Sequence, residues 1–147
     1  MKIRLLTIGF VALVLAPAAI ADAVYQTERL ELRRLAATSG GGAIVNIHAN
    51  GPQVYAHEIY TLKGALPSKT YEVNLLVYPF APSCTGTGVF FGSTQLTTNV
   101  AGNGQADRFF EPGIPPPLIG HTHGVKWTVT LNGVPQYETR CTQVTLD

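Results

Sequence analysis

The chain has 147 residues, 10 basic against 9 acidic, and only 13% of its side chains are charged. That balance lacks the positive footprint needed to neutralise phosphates, which excludes nucleic acid as a natural partner. The apolar run near the start is shorter than the about 20 residues a spanning helix requires, and no later stretch reaches that length, so no membrane span is expected.

Residues 1–23 have the form of a secretory signal peptide. Lys2 and Arg4 precede an apolar run over 5–16, and the small residues Ala18, Ala19, Ala21 and Ala23 follow. Cleavage fits after Ala21 or after Ala23. No cysteine stands just behind either site to take a lipid anchor, so the mature chain is expected to be secreted or periplasmic. Residues 24–147 are long enough for a single domain with its own core. Without Lys2 and Arg4, the remaining 8 basic residues face 9 acidic ones.

From there the pattern alternates with a period of two, broken by Gly, Pro and Asn, as in an antiparallel β protein. Over 27–35, Thr27, Arg29, Glu31 and Arg33 alternate with Glu28, Leu30, Leu32 and Arg34. This suits an outer strand, which we favour over a short helix with Leu32 and Leu35 on one side. Gly40-Gly41-Gly42 lacks the lysine and helix of a phosphate loop and reads as a turn before a strand. Segments 43–48 and 54–62 flank Ala49-Asn50-Gly51-Pro52 and predict a hairpin. Segment 71–77 is a clear strand with Tyr71, Val73, Leu75 and Val77 inward, ended by Pro79 and Pro82. Segments 89–98 and 105–110 flank an Asn- and Gly-rich stretch and predict another hairpin. The prolines of 111–120, among them Pro115, Pro116 and Pro117, favour an extended polyproline path. That path is either a stiff binding loop or, the reading we favour, a spacer across one end of the domain. Segment 125–131 puts Val125, Trp127, Val129 and Leu131 on one face. Asn132-Gly133 then signals a type I′ turn into a last strand over 137–146.

About seven or eight short strands predict an all-β, antiparallel sandwich of two sheets with Greek-key or meander links, ahead of a closed barrel. Trp127, Tyr71, Phe90, Phe91 and Phe110 are the expected core aromatics. Cys84 and Cys141 are the whole thiol inventory, and in an exported chain an even pair reads as one disulfide rather than free thiols or half of a metal site.

Few residues carry chemistry. His121-Thr122-His123 has i, i+2 spacing, so in an extended segment both rings point the same way. With His57 or His48 nearby, three imidazoles would suit zinc or copper, the only cofactors the sequence suggests. No serine sits in a nucleophile motif, and bonded cysteines supply no thiolate. Glu58, Glu72, Asp107 and Glu111 are the candidates for a glycosidase-like pair. Tyr55, Tyr60 and Tyr78 are candidate ligand contacts.

Two stretches bring a resemblance. The Leu-Pro, small-residue, Thr-Tyr, Val lead-in of 62–73 and the Thr-rich strand with its Asn/Gly turn at 96–104 are similar to those of extracellular bacterial immunoglobulin-like β-sandwich modules. The resemblance implies an immunoglobulin-like secreted module with an adhesive, structural or ligand-binding role and no active-site residues. Gly120-His121-Thr122-His123-Gly124 superficially resembles the histidine-rich segments of copper/zinc superoxide dismutase sandwiches. The remaining ligands of that family have no counterpart here. The expectation is therefore a non-enzymatic exported protein that binds an extracellular protein, a glycan or a small ligand. Its binding surface is expected at the end carrying Pro115 to Pro117, His121 and His123, with zinc or copper binding as the alternative.

Overall fold

Side chains that alternate between apolar and polar give strands with one buried face, and two such sheets hide those faces against each other. The computed structural model describes residues 26–35, 38–48, 56–110 and 116–145. The expected leader over 1–23, Glu111, Pro115 and Leu146 lie outside them. Ten strands follow in order: β1 (Gln26–Glu31), β2 (Arg33–Arg34), β3 (Gly41–His48), β4 (Ala56–Lys63), β5 (Thr70–Tyr78), β6 (Val89–Thr97), β7 (Gly104–Phe110), β8 (Thr122–Leu131), β9 (Val134–Glu138) and β10 (Thr142–Thr145). They form two antiparallel sheets that do not close into a barrel. One sheet runs β1-β3-β4-β7. The other runs β2-β9-β8-β5-β6, with β10 pairing β8 beyond the end of β9.

The expected two-sheet sandwich is what forms. Tyr71, Val73, Leu75 and Val77 of β5 and Val125, Trp127 and Val129 of β8 are all buried. They meet Leu30, Ile44, Tyr60 and Leu62 from the opposite sheet in one core. Burying a large apolar side chain contributes roughly 1.5–3 kcal/mol, so this alternation is the main stabilising pattern. Between β8 and β9, Asn132 and Gly133 take φ of 51° and 76°, as a type I′ turn requires. Segment 27–35 is extended as favoured, but it divides. The Leu32 N–H donates to the Gly42 carbonyl at 2.9 Å, and the chain crosses there from the edge of one sheet to the edge of the other.

Other expectations need correction. Segments 89–98 and 105–110 are not a hairpin: β6 pairs β5 and β7 pairs β4, in different sheets. The link is an arch. Thr98 is buried, and its hydroxyl donates to the Leu66 carbonyl at 2.7 Å, drawing the chain out of the sheet. Asn99 Oδ1 then accepts the Ala101 and Asn103 N–H groups at 2.9 and 3.0 Å and sets the bend.

Phe90 is 59% exposed rather than in the core. The register shifts in β6, with Leu75 opposite Gly92 and Leu76 opposite Phe90. The extra residue, Phe91, turns inward onto Phe110 with ring centroids 6.1 Å apart. The last strand is also broken. Thr139 hydrogen-bonds Trp127 through both its N–H (3.0 Å) and its hydroxyl (3.1 Å), so Cys141 falls between β9 and β10. The described prolines do not run as polyproline. Pro116–Leu118 is a 3-10 turn closed by the Ile119 N–H on the Pro116 carbonyl at 3.1 Å.

Candidate functional site

The expected disulfide is present. Cys84, in the loop after β5, bonds Cys141 before β10, with Cα atoms 5.9 Å apart. It pins loop 79–88 to the last strands. Two residues of this loop, Phe80 and Cys84, have φ of 56° and 54°, left-handed values that cost a side chain roughly 1–2 kcal/mol each.

A turn closed by the Ala81 N–H on the Tyr78 carbonyl at 3.1 Å carries Phe80, and the His-x-His pair packs against it. His121 is exposed just before β8 and His123 is buried in it, yet the two rings meet one partner. Their centroids lie 5.2 and 5.4 Å from that of Phe80, both edge-on. The i, i+2 spacing thus brings both imidazoles to one place. The Phe80 N–H donates to His123 Nδ1 at 3.1 Å, and Nε2 donates to the Leu118 carbonyl at 2.7 Å. These bonds fix a neutral tautomer with its proton on Nε2 and occupy both nitrogens. His123 therefore ties the disulfide loop to the 3-10 turn, and neither nitrogen is left for an ion. Phe80 stays 57% exposed, with Ile119 36% exposed on the turn. Pro116 and Pro117 are also exposed.

His57 is not part of this cluster. It projects from the outer face of β4 in the other sheet, stacked on Phe109 (4.0 Å, 6°), with Nε2 3.3 Å from Asp107 Oδ2. The expected zinc or copper set of His121, His123 and His57 is thus not brought together. Among the described residues no three His, Cys, Asp or Glu side chains gather to hold a metal ion.

The acids separate in the same way. Glu58 and Asp107 face opposite sides of one sheet, and Glu72 is exposed on the other sheet. No glycosidase-like pair forms among them. Ser83 hydrogen-bonds Thr85 at 3.4 Å in its own loop, consistent with turn chemistry. Tyr60, expected as a surface contact, is only 2% exposed, because it shares the inward face of β4 with Glu58. Tyr78 is half-buried, and Tyr55 lies outside the described residues.

Glu58 is a titratable group whose burial the sequence reading did not anticipate. It is 2% exposed between the sheets, and its Oε2 accepts the Tyr60 hydroxyl and the Trp127 indole N–H, each at 2.6 Å. Burial pushes its carboxyl up to about 7, against the lowering effect of these two bonds and of Arg108 opposite on β7. Burial, and then the carboxylate beside it, push the Tyr60 phenol up as well. Arg108 donates from Nη1 to the Ser93 carbonyl at 3.0 Å and lies 4.7 Å over Phe110. Gly92 leaves the space its guanidinium fills. A signal for Glu58 was available, since Ala56, Glu58, Tyr60 and Leu62 share one face of an alternating strand.

Comparison with known proteins gives no relative for this arrangement: no family model matches the chain, and neither a curated protein nor a solved structure does.

Proposed function

We propose that this chain is an exported β-sandwich module that works by binding a ligand through the end of the sandwich carrying Phe80, His121, Pro116 and Pro117. The observation that carries the reading is Phe80. A large aromatic side chain is held in a costly backbone conformation and more than half exposed, on a loop fixed by a disulfide and a buried imidazole. Strain kept at an exposed aromatic is characteristic of recognition sites, and a rigid ring offers contact area at small entropic cost. The partner is an extracellular protein, a glycan or a small ligand.

Kinship with immunoglobulin-like modules is part of this proposal and rests on the resemblance of 62–73 and 96–104. The two segments lie against each other. Thr98 of the second bonds Leu66 and Lys69 of the first, and the Ala65 N–H donates to the Gly102 carbonyl at 3.0 Å.

The test compares wild type with Phe80→Asn on glycan and peptide panels. Asparagine tolerates left-handed φ, so stability should stay within about 1 kcal/mol of wild type while saturable binding is lost. A variant that binds like wild type, or no saturable binding by either, refutes the proposal. Export is tested separately by N-terminal sequencing. The processed protein should begin at Asp22 or Val24, and recovery of the chain only with Met1 in the cytosol would overturn it.

A further inference from the structure

Four of the chain's ten Lys and Arg residues line one cleft of about 550 Å³. Arg29 and Arg33 stand on either side of the crossing at Leu32, on β1 and β2. Lys126 lies on β8, and Arg140 lies in the break between β9 and β10, beside Thr139 and the disulfide. The break is held by the two Thr139–Trp127 bonds, so the folding of the edge, not flexibility, gathers these charges.

The cations are only partly satisfied from within. Glu138 serves two of them, pairing with Arg33 and, at 2.5 Å, with Lys126. Burial pushes the Glu138 carboxyl up, but the bonds from Lys126 and Arg33 prevail and hold it below the ordinary value. Glu31 meets Arg29 through Nε at 2.9 Å, which leaves both terminal nitrogens of Arg29 uncommitted among the described residues. Among the described residues Arg140 has only Glu28, at 3.8 Å, and the other oxygen of Glu28 is taken by the Thr142 hydroxyl at 2.6 Å. Four cations therefore face three carboxylates, and the least satisfied guanidiniums, Arg29 and Arg140, have side chains 65% and 80% exposed.

Among the described residues the lining is charged and polar apart from Cys141, with no aromatic side chain. Guanidinium forks match carboxylate and phosphate oxygens. We propose that the cleft binds a small multivalent oxyanion, with Arg29 and Arg140 as the direct contacts and Arg33 and Lys126 supplying field. This second site shares no lining residue with Phe80, His121, Pro116 or Pro117, although Cys141 links it to the Phe80 loop, and each site is tested by its own variant.

The experiment titrates the mature chain with citrate and with pyrophosphate at physiological salt, by calorimetry and by amide chemical shifts. Saturable binding of either, with shifts at Lys126, Thr139 and Arg140, is the expected result. Citrate alone identifies a carboxylate ligand and pyrophosphate alone a phosphate ligand. The Arg29→Gln plus Arg140→Gln variant should bind at least about tenfold more weakly, as expected for losing charge-assisted hydrogen bonds. Lys63→Gln plus Lys69→Gln removes the same charge from exposed positions elsewhere and should stay within about twofold of wild type, since distant charges are screened. No saturable binding of either anion, undiminished affinity in the arginine variant, or an equal loss in the lysine control would each overturn the proposal.

Discussion

Glu58→Gln isolates the cost of a carboxyl in the core. Glutamine keeps the shape and one oxygen able to accept from both Tyr60 and Trp127, removes the ionisation, and puts an NH2 in place of the other oxygen. Raising the carboxyl from 4.5 to about 7 corresponds to roughly 3 kcal/mol, since one pKa unit is worth ~1.4 kcal/mol. The folded-state value lies above the unfolded one. The contribution is therefore complete below about pH 4.5, where the acid is neutral in both states, and it is lost as pH rises to 7 and beyond. From about pH 5 to about pH 8, wild type should lose about 2–3 kcal/mol that the variant retains. Urea unfolding with the disulfide intact measures the difference. The chain's single tryptophan supplies a second readout, because Trp127 donates directly to the titrating group. Its fluorescence should shift with a midpoint near pH 7 in wild type and stay flat in the variant. Identical pH–stability slopes, or the same fluorescence transition in both proteins, would refute the reasoning.

Replacing both cysteines by serine opens a crosslink between residues 57 apart, and unfolding free energy should fall by about 4 kcal/mol in the loop-entropy account; an unchanged melting point counts against it. Glu138→Gln should cost about 1–3 kcal/mol at neutral pH, because two cations lose a charged partner. Since the Glu138 carboxyl lies below its ordinary value, that deficit should shrink as pH falls from the ordinary carboxylate range through the lowered folded-state value, and a deficit independent of pH would contradict the assignment. Asn99→Ala removes the acceptor of two backbone N–H groups in the arch and should destabilise by about 1–2 kcal/mol in thermal unfolding; no change would mean that the bend sets itself. Zinc or copper should leave the melting temperature of wild type unmoved. A stoichiometric rise abolished by His121→Ala would reinstate the metal reading.

The strands were legible because alternation reports directly on which side chains a sheet buries. Tyr71 to Val77 and Val125 to Leu131 could be assigned to faces from the letters alone, and Asn132-Gly133 specified its own turn. Which strand pairs with which was less legible. A tight hairpin and an arch between sheets use the same Asn and Gly residues, so 99–104 did not reveal that β6 and β7 part company; the deciding contact, Thr98 with Leu66, is distant in sequence. A bulge changes the parity of everything beyond it, which is why Phe90 was assigned to the wrong side. The cleft was invisible for a related reason. Arg29 and Arg140 are brought together by a sheet crossing and a broken edge strand, and neither has a compositional signature.

The displaced residue in β6 bears on strand-to-strand association between copies. β6 is the outermost strand of its sheet among the described residues, and it shows Val89 and Phe90 to solvent. A straight, greasy rim of that sort invites a second copy to dock as one more ribbon and so to polymerise. The kink at Phe91 and Gly92 spoils the template midway. Deleting Phe91 should restore an unbroken rim and raise the tendency to form fibres above that of wild type, read by thioflavin T fluorescence.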